Sequence, residues 1–274
     1  MSSFWRHSLR TKLQSFSSTS KAYAGRPTYY QGISKRRPGV NANPAFYRRL
    51  NNVNPTYLVY GLIGVNCGVF GLWAWAESEA QRFRDPRKLV SMMKNWSLSE
   101  QNVTSGHVWT LITSTFSHRS ADHLLFNMLG LFFLGLPTAQ MIGSAAFMGL
   151  YLSTGVTSGL AFLGFNRLFG PRQRIRDAKT GQIKTAPSAI EANGASGSIY
   201  GVMAYFAALQ PKATFLIFFV LPCPAWAAVS GLVAWDVYRA ARGQGSNVAS
   251  SAHVGGALSG LAFCLFTRGR GRRF

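Results

Sequence analysis

LLFNMLGLFFLGLPTAQMIGSAAFMGLYLSTGVTSGLAFLGFN, residues 124–166, runs for 43 positions without an Asp, Glu, Lys, Arg or His. A helix needs about 20 apolar residues to cross a bilayer core. The run therefore holds two helices and a turn, which is expected at Pro137–Gln140. Four more runs lack charge: Tyr57–Ala76, Ala192–Pro211, Ala213–Trp235 and, His253 apart, Gly243–Thr267. One span in each gives six, at about 57–76, 121–136, 141–165, 196–211, 225–240 and 251–267. Residues 213–223 are apolar but stop at Leu221-Pro222-Cys223-Pro224, too short to cross, and are expected to be re-entrant or interfacial. The connection 77–120 carries Trp96 and Trp109, residues that suit a membrane surface. The chain is 47% hydrophobic and only 14% charged, whereas an ordinary soluble domain carries about 25% charge. Buried core helices of a soluble domain fit this pattern badly. The expected fold is all-α, a polytopic membrane protein with a bundle of six transmembrane helices.

The net charge is +21 and the basic residues cluster. Residues 1–56 hold ten Lys/Arg and no acid, and Arg268, Arg270, Arg272 and Arg273 end the chain. No nucleic-acid partner is expected, because the charges flank apolar spans instead of interleaving with base-stacking aromatics. Basic flanks stay on the untranslocated side, and an even number of spans puts both basic ends there. Residues 1–26 are rich in Ser, Thr, Arg and Lys. Trp5, Leu9, Leu13 and Phe16 recur at helical spacing, the pattern of a mitochondrial presequence. Residues 26–56, rich in Pro, Asn and Arg, read as a poorly ordered linker. The expected organisation is presequence and basic linker over 1–56, a six-helix domain over 57–267 and a basic tail over 268–274. The loop 166–193 is basic too, with Arg167, Arg172, Arg174, Arg176, Lys179 and Lys184. It falls on the opposite side, against the charge rule.

Two polar side chains stand out in apolar surroundings: Ser196 in Gly194-Ala195-Ser196-Gly197 and His253 in Ala252-His253-Val254-Gly255-Gly256. Hydrocarbon penalises ionisable groups, so such residues are read as functional with a partner. A hydroxyl beside an imidazole is the minimum apparatus for nucleophilic catalysis. His123, Ser196 and His253 open the second, fourth and sixth spans, which all start on the face opposite the N-terminus. Gly197/Gly201 and Gly256/Gly260 are small pairs four apart that let helices approach closely. If those faces meet, Ser196 and His253 meet at the helix mouth. Asp236 is expected to pair with Arg239 three positions on. Cys67, Cys223 and Cys264 lie in or beside apolar runs and read as buried hydrophobes. No carboxylate or cysteine joins His118, His123 and His253 at ligand spacing, so no metal is expected.

The order His123-Leu124-Leu125-Phe126-Asn127, Gly194-Ala195-Ser196-Gly197 and Ala252-His253-Val254-Gly255-Gly256 resembles the rhomboid family of intramembrane serine proteases. Ser114-Thr115-Phe116-Ser117-His118 and Met148-Gly149-Leu150-Tyr151-Leu152-Ser153 look like its mitochondrial branch. The resemblance covers about residues 57–267. It implies Ser196 as nucleophile and His253 as general base, a dyad without a third acid. It also implies that His123 and Asn127, with the Ser196 backbone N–H, form the oxyanion hole, and that Tyr200 packs on the base histidine. Gly194, Gly197 and Gly256 support the site, and no cofactor is implied. The implied activity is endopeptidase cleavage of transmembrane segments of mitochondrial inner-membrane proteins. The site would face the intermembrane space, and substrates would be single-span proteins such as a dynamin-like GTPase or a peroxidase precursor. The alternative is a catalytically silent relative that binds membrane clients. Many family members carry Trp-Arg in the first long loop, where this chain has Trp109-Thr110.

Overall fold

The computed structural model describes residues 45–170, 172–176, 183–187, 190–217, 220–242 and 247–271. The expected presequence, most of the linker and the last three residues lie outside them. The element order is α1 (Ala45–Asn51), α2 (Pro55–Phe83), α3 (Arg87–Trp96), α4 (Glu100–Thr104) and α5 (Thr110–Thr113). Then come α6 (Ala121–Gly130), α7 (Leu136–Ile142), α8 (Ser144–Phe169), the strands β1 (Arg172–Arg176) and β2 (Ile183–Pro187), and α9 (Ser196–Leu209). Strands β3 (Thr214–Ile217) and β4 (Leu221–Pro224), α10 (Ala225–Arg242) and α11 (Asn247–Gly271) complete the fold.

α2 starts where its sequence supplies a cap. The Asn54 side chain accepts the Thr56 N–H at 2.9 Å, and Pro55 stands in the first turn, where its missing N–H costs nothing. One stripe of α2 is buried: Leu58, Leu62, Val69 and Trp73, among others. Tyr57 on the same helix is 73% exposed. Large apolar side chains likewise stand open on other helices, as at Phe126 and Leu265. A protein bathed in water rarely exposes so much contiguous apolar surface; one bathed in lipid pays nothing for it. Among the described residues, four helices are long and apolar enough to cross a membrane: Pro55–Phe83, Ala121–Ile142, Ser144–Phe169 and Ala249–Arg268. The protein is a helical, polytopic membrane protein. Its helices stand where six spans are expected, but α9 has 14 residues, about 21 Å of helix, and falls short of a full crossing.

The structure moves the first turn. Residues 121–142 form one continuous helical rod, with a π-helical turn at Leu131–Gly135 joining α6 to α7. Pro137 sits in the first turn of α7, inside the rod. The chain reverses instead at Gly143, whose φ is +84°, a conformation that favours glycine. The end of the expected linker is also fixed. Asn51 Oδ1 accepts the Ala145 N–H at 3.2 Å, and the Ser144 hydroxyl donates to the Val53 carbonyl at 2.6 Å. These bonds cap α8 at the end remote from Phe169.

Two small antiparallel ribbons interrupt the all-helical plan. β1 pairs with β2, from Arg172 opposite Pro187 to Arg176 opposite Ile183, inside the basic loop. β3 pairs with β4, from Thr214 opposite Pro224 to Ile217 opposite Leu221. That ribbon is the form taken by the segment 213–223, too short to cross and expected to be re-entrant or interfacial.

The core joins α2, the rod 121–142, α8 and α9 through Leu58, Val59, Met128, Leu131, Phe147, Tyr151, Ile199 and Val202. Behind it, α9 and α11 touch backbone to backbone. A Cβ on Gly256 would run into the Gly197 carbonyl, and one on Gly260 into the Gly201 carbonyl. The two small pairs read from the sequence therefore face each other, and this contact sets the distance between α9 and α11.

Candidate active site

Ser196 is the first residue of α9, and the segment before it is fastened on three sides. Leu98 and Ala192 exchange backbone hydrogen bonds at 3.1 and 2.8 Å. The Gly194 N–H donates to the Ser114 carbonyl at 2.9 Å. The Ala195 N–H donates to Nε2 of His118 at 3.3 Å. His118 is held in turn: the neighbouring Ser117 hydroxyl accepts the indole N–H of buried Trp73 at 2.7 Å. Through that bond α2 anchors the strap that positions the serine. His118 is fully buried and neutral, because desolvation and the nearby His123 lower its pKa from 6.5 to about 4. A neutral ring is required for Nε2 to accept.

Gly194 has φ +125°, and a Cβ there would stand 2.6 Å from Cε1 of His123. Any side chain would collide with that ring. His123 thus lies over the backbone turn that delivers Ser196.

His253 comes from α11. Its Nε2 lies 2.9 Å from Ser196 Oγ. Its ring stacks on Tyr200 of α9, with centroids 4.2 Å apart and planes at 10°. Its Nδ1 lies 3.1 Å from Oδ2 of Asp236 on α10, a carboxylate only 4% exposed. The i, i+3 reading of Asp236 toward Arg239 is therefore corrected. Packing of α10 against α11 turns Asp236 toward His253, a tertiary relation that local spacing does not encode.

Ser196, His253 and His123 line one cavity of about 510 Å³. Its walls mix the hydroxyls of Ser114, Thr115, Ser158 and Ser198 with Phe162, Phe165 and Phe169. Gly155, Gly159, Gly194 and Gly197 complete them without side-chain bulk. Its hydroxyls give the apolar bundle a partly polar interior where Ser196 and His253 meet. Asn127 follows His123 by one helical turn on α6, and its amide nitrogen donates to the His123 carbonyl at 2.7 Å. Among the described residues it is not part of the cavity wall. His123 joins the serine and histidine there; Asn127 braces the helix that carries it. No group of three or more His, Cys, Asp or Glu suited to a metal occurs among the described residues.

Sequence reasoning missed the roles of His118 and Trp73. Ser117-His118 was visible as part of a motif, but nothing local ties its ring to Ala195, 77 positions away.

The sequence of the chain is similar to those of known proteins. The family model of the rhomboid domain matches residues 105–270, the part of the chain that carries Ser196, His253, His123 and Asp236. RHOMBOID-like protein 12, mitochondrial, of Arabidopsis thaliana is 33% identical over 224 residues, covering 81% of this chain and 62% of that protein. Rhomboid protein 1, mitochondrial, of Saccharomyces cerevisiae is 33% identical over 211 residues, covering 77% of this chain and 53% of that protein. Rhomboid protease GluP of Bacillus subtilis is 31% identical over 116 residues, covering 42% of this chain and 18% of that protein. The match thus spans a little over half the length of each of the two mitochondrial relatives. With residues 105–270, more than half of its length, inside the family model, the chain belongs to the rhomboid family.

Proposed function

We propose that this chain is an intramembrane serine endopeptidase that cleaves transmembrane segments of mitochondrial inner-membrane proteins. The observation that carries the reading is the 2.9 Å contact between Ser196 Oγ and His253 Nε2 at the wall of a cavity that also carries several hydroxyls. A serine hydroxyl is a weak nucleophile until a base takes its proton. His253 Nε2 is placed to take it as Oγ attacks the scissile carbonyl, and to return it to the leaving amine as the C–N bond breaks. Water then hydrolyses the acyl-enzyme by the same relay. Negative charge gathers on the carbonyl oxygen between the two steps. The N–H groups of the first turn of α9, which have no acceptor within the helix and stand at the positive end of its dipole, are suited to receive it. The His123 ring beside Gly194 is a further donor. Each such donor is worth about 3–4 kcal/mol when removed.

The relatives named as mitochondrial support a mitochondrial membrane, and so does the acid-free, Arg- and Ser-rich leader. The site would face the intermembrane space, with the basic ends on the matrix side. Substrates would be single-span membrane proteins, with dynamin-like GTPase and peroxidase precursors as candidates.

The test is cleavage of a model single-span substrate by the purified full-length chain in detergent, against Ser196→Ala. The wild type cleaves and its serine takes up a fluorophosphonate probe; the variant remains folded and does neither. Equal cleavage by both forms would end the serine-protease reading. A folded wild type that neither cleaves nor labels would favour a client-binding relative.

A further inference from the structure

We propose that Asp236 is a positioning residue for the base, so that the working unit is a chain of three groups, Asp236, His253 and Ser196. This deepens the protease reading and rests on it. The proposal stands on the two hydrogen bonds at opposite ends of one ring. For Nε2 to accept the Ser196 proton, the ring's own hydrogen must sit on Nδ1. Asp236 Oδ2 lies 3.1 Å from Nδ1, where an ionised carboxylate accepts that hydrogen and disfavours the opposite tautomer. When the serine proton arrives on Nε2 the ring becomes an imidazolium, flanked at Nδ1 by the carboxylate. The aspartate stays ionised throughout. The proton moves from Oγ to Nε2 and then to the leaving amine, so the balance needs no other reactant.

The surroundings fit this role. Asp236 is 4% exposed, so its interaction with the ring is little screened by water. The hydroxyls of Tyr200 and Ser250 also face its carboxylate, which fixes the oxygen that reaches the ring. Tyr200 stacks on the imidazole at the same time. The tyrosine therefore holds both the ring plane and its carboxylate. The polar or ionisable groups around His253 are Ser196 and Tyr200 from α9, Asp236 from α10 and His123 from α6. Asp236 is the one carboxylate among them. A buried carboxylate that only stapled α9, α10 and α11 together would be the competing reading.

The experiment compares wild type, Asp236→Asn, Asp236→Glu and Ser196→Ala as purified full-length chains, reading kcat, KM, pH profile and thermal midpoint. Asp236→Asn is expected to lower kcat by about 10²–10⁴-fold, as loss of the tautomer-holding carboxylate does in serine hydrolases. KM stays within about threefold, and the acid limb of kcat/KM moves to lower pH. Asp236→Glu recovers part of the loss. Wild-type kcat with an unshifted acid limb in folded Asp236→Asn would overturn the proposal. So would a loss that tracks thermal midpoint alone, with the acid limb in place. If Ser196→Ala also cleaves, the protease reading itself has failed; if Ser196→Ala is inactive while Asp236→Asn is normal, only the positioning role has. Should Asp236→Asn not fold, nitrogen-15 spectra of the imidazoles in the wild-type chain decide. His253 protonated on Nδ1 at neutral pH supports the proposal, and protonation on Nε2 alone overturns it.

Discussion

His118 does its work by being uncharged. Unfolded, its imidazole takes a proton near pH 6.5. Folded, burial and the neighbouring His123 hold that pKa at about 4. Between these values the unfolded chain binds the proton and the folded chain does not, so stability falls as pH drops from 6.5 to 4 and levels off below. The span corresponds to a loss on the order of 3 kcal/mol. Replacement by glutamine keeps an acceptor for the Ala195 N–H but removes the titration. The thermal midpoint of wild type should therefore drop more between pH 7 and pH 4 than that of His118→Gln. Parallel curves would show that this ring does not set the acid sensitivity. Ser196 and His253 were legible as residues because hydrocarbon makes any polar side chain conspicuous. Asp236 and His118 were not, for the same physical reason in reverse. Each lies at a span end or in a connecting strap, where charge is unremarkable, and each acts through a contact that exists only after helices pack.

At the scale of the element, the small pairs on α9 and α11 decide whether the two functional groups meet. Gly256 and Gly260 lie directly over the Gly197 and Gly201 carbonyls. A methyl group at 256 must push α11 away from α9, and His253 is only three residues earlier. Gly256→Ala should cost about 1–3 kcal/mol by overpacking and lower cleavage by lengthening the contact between His253 and Ser196. Gly61→Ala on α2, where open space surrounds the site, should not destabilise and gains up to about 1 kcal/mol of helix propensity. Thermal unfolding of the two variants side by side measures the contrast, and equal midpoints would remove the α9–α11 seam from the account. That seam was readable because spacing of four is a local property of helices. The first helical reversal was not. Pro137 signals a break in the sequence, yet the rod runs through it, with the π-helical turn Leu131–Gly135 just before it. Gly143, with its positive φ, makes the turn instead. The ribbons β1–β2 and β3–β4 escaped because each is a short pair whose register is set by the helices it connects.

At the scale of the molecule, the bundle must let water reach a serine set among lipid-facing helices. The short α9 supplies the means. Its 14 residues give about 21 Å of helix against a hydrocarbon core of about 30 Å. A helix beginning at Ser196 can therefore leave its first residue below one surface, beside the cavity that Ser196 lines. The consequence is a one-sided aqueous site. In a chain whose Cys67, Cys223 and Cys264 are replaced by alanine, Ser196→Cys should react with a membrane-impermeant maleimide in sealed vesicles. It should do so only from the face opposite an N-terminal tag. A chain keeping Cys67 alone, exposed on the outer face of α2, should resist the same reagent, because that side chain meets lipid. Labelling of position 196 from the tagged side, or faster labelling at Cys67 than at 196, would contradict the arrangement. The geometry of Ser196 and His253 would stand, but the reaction would be left without water, since the acyl-enzyme can turn over only where the cavity meets the aqueous phase.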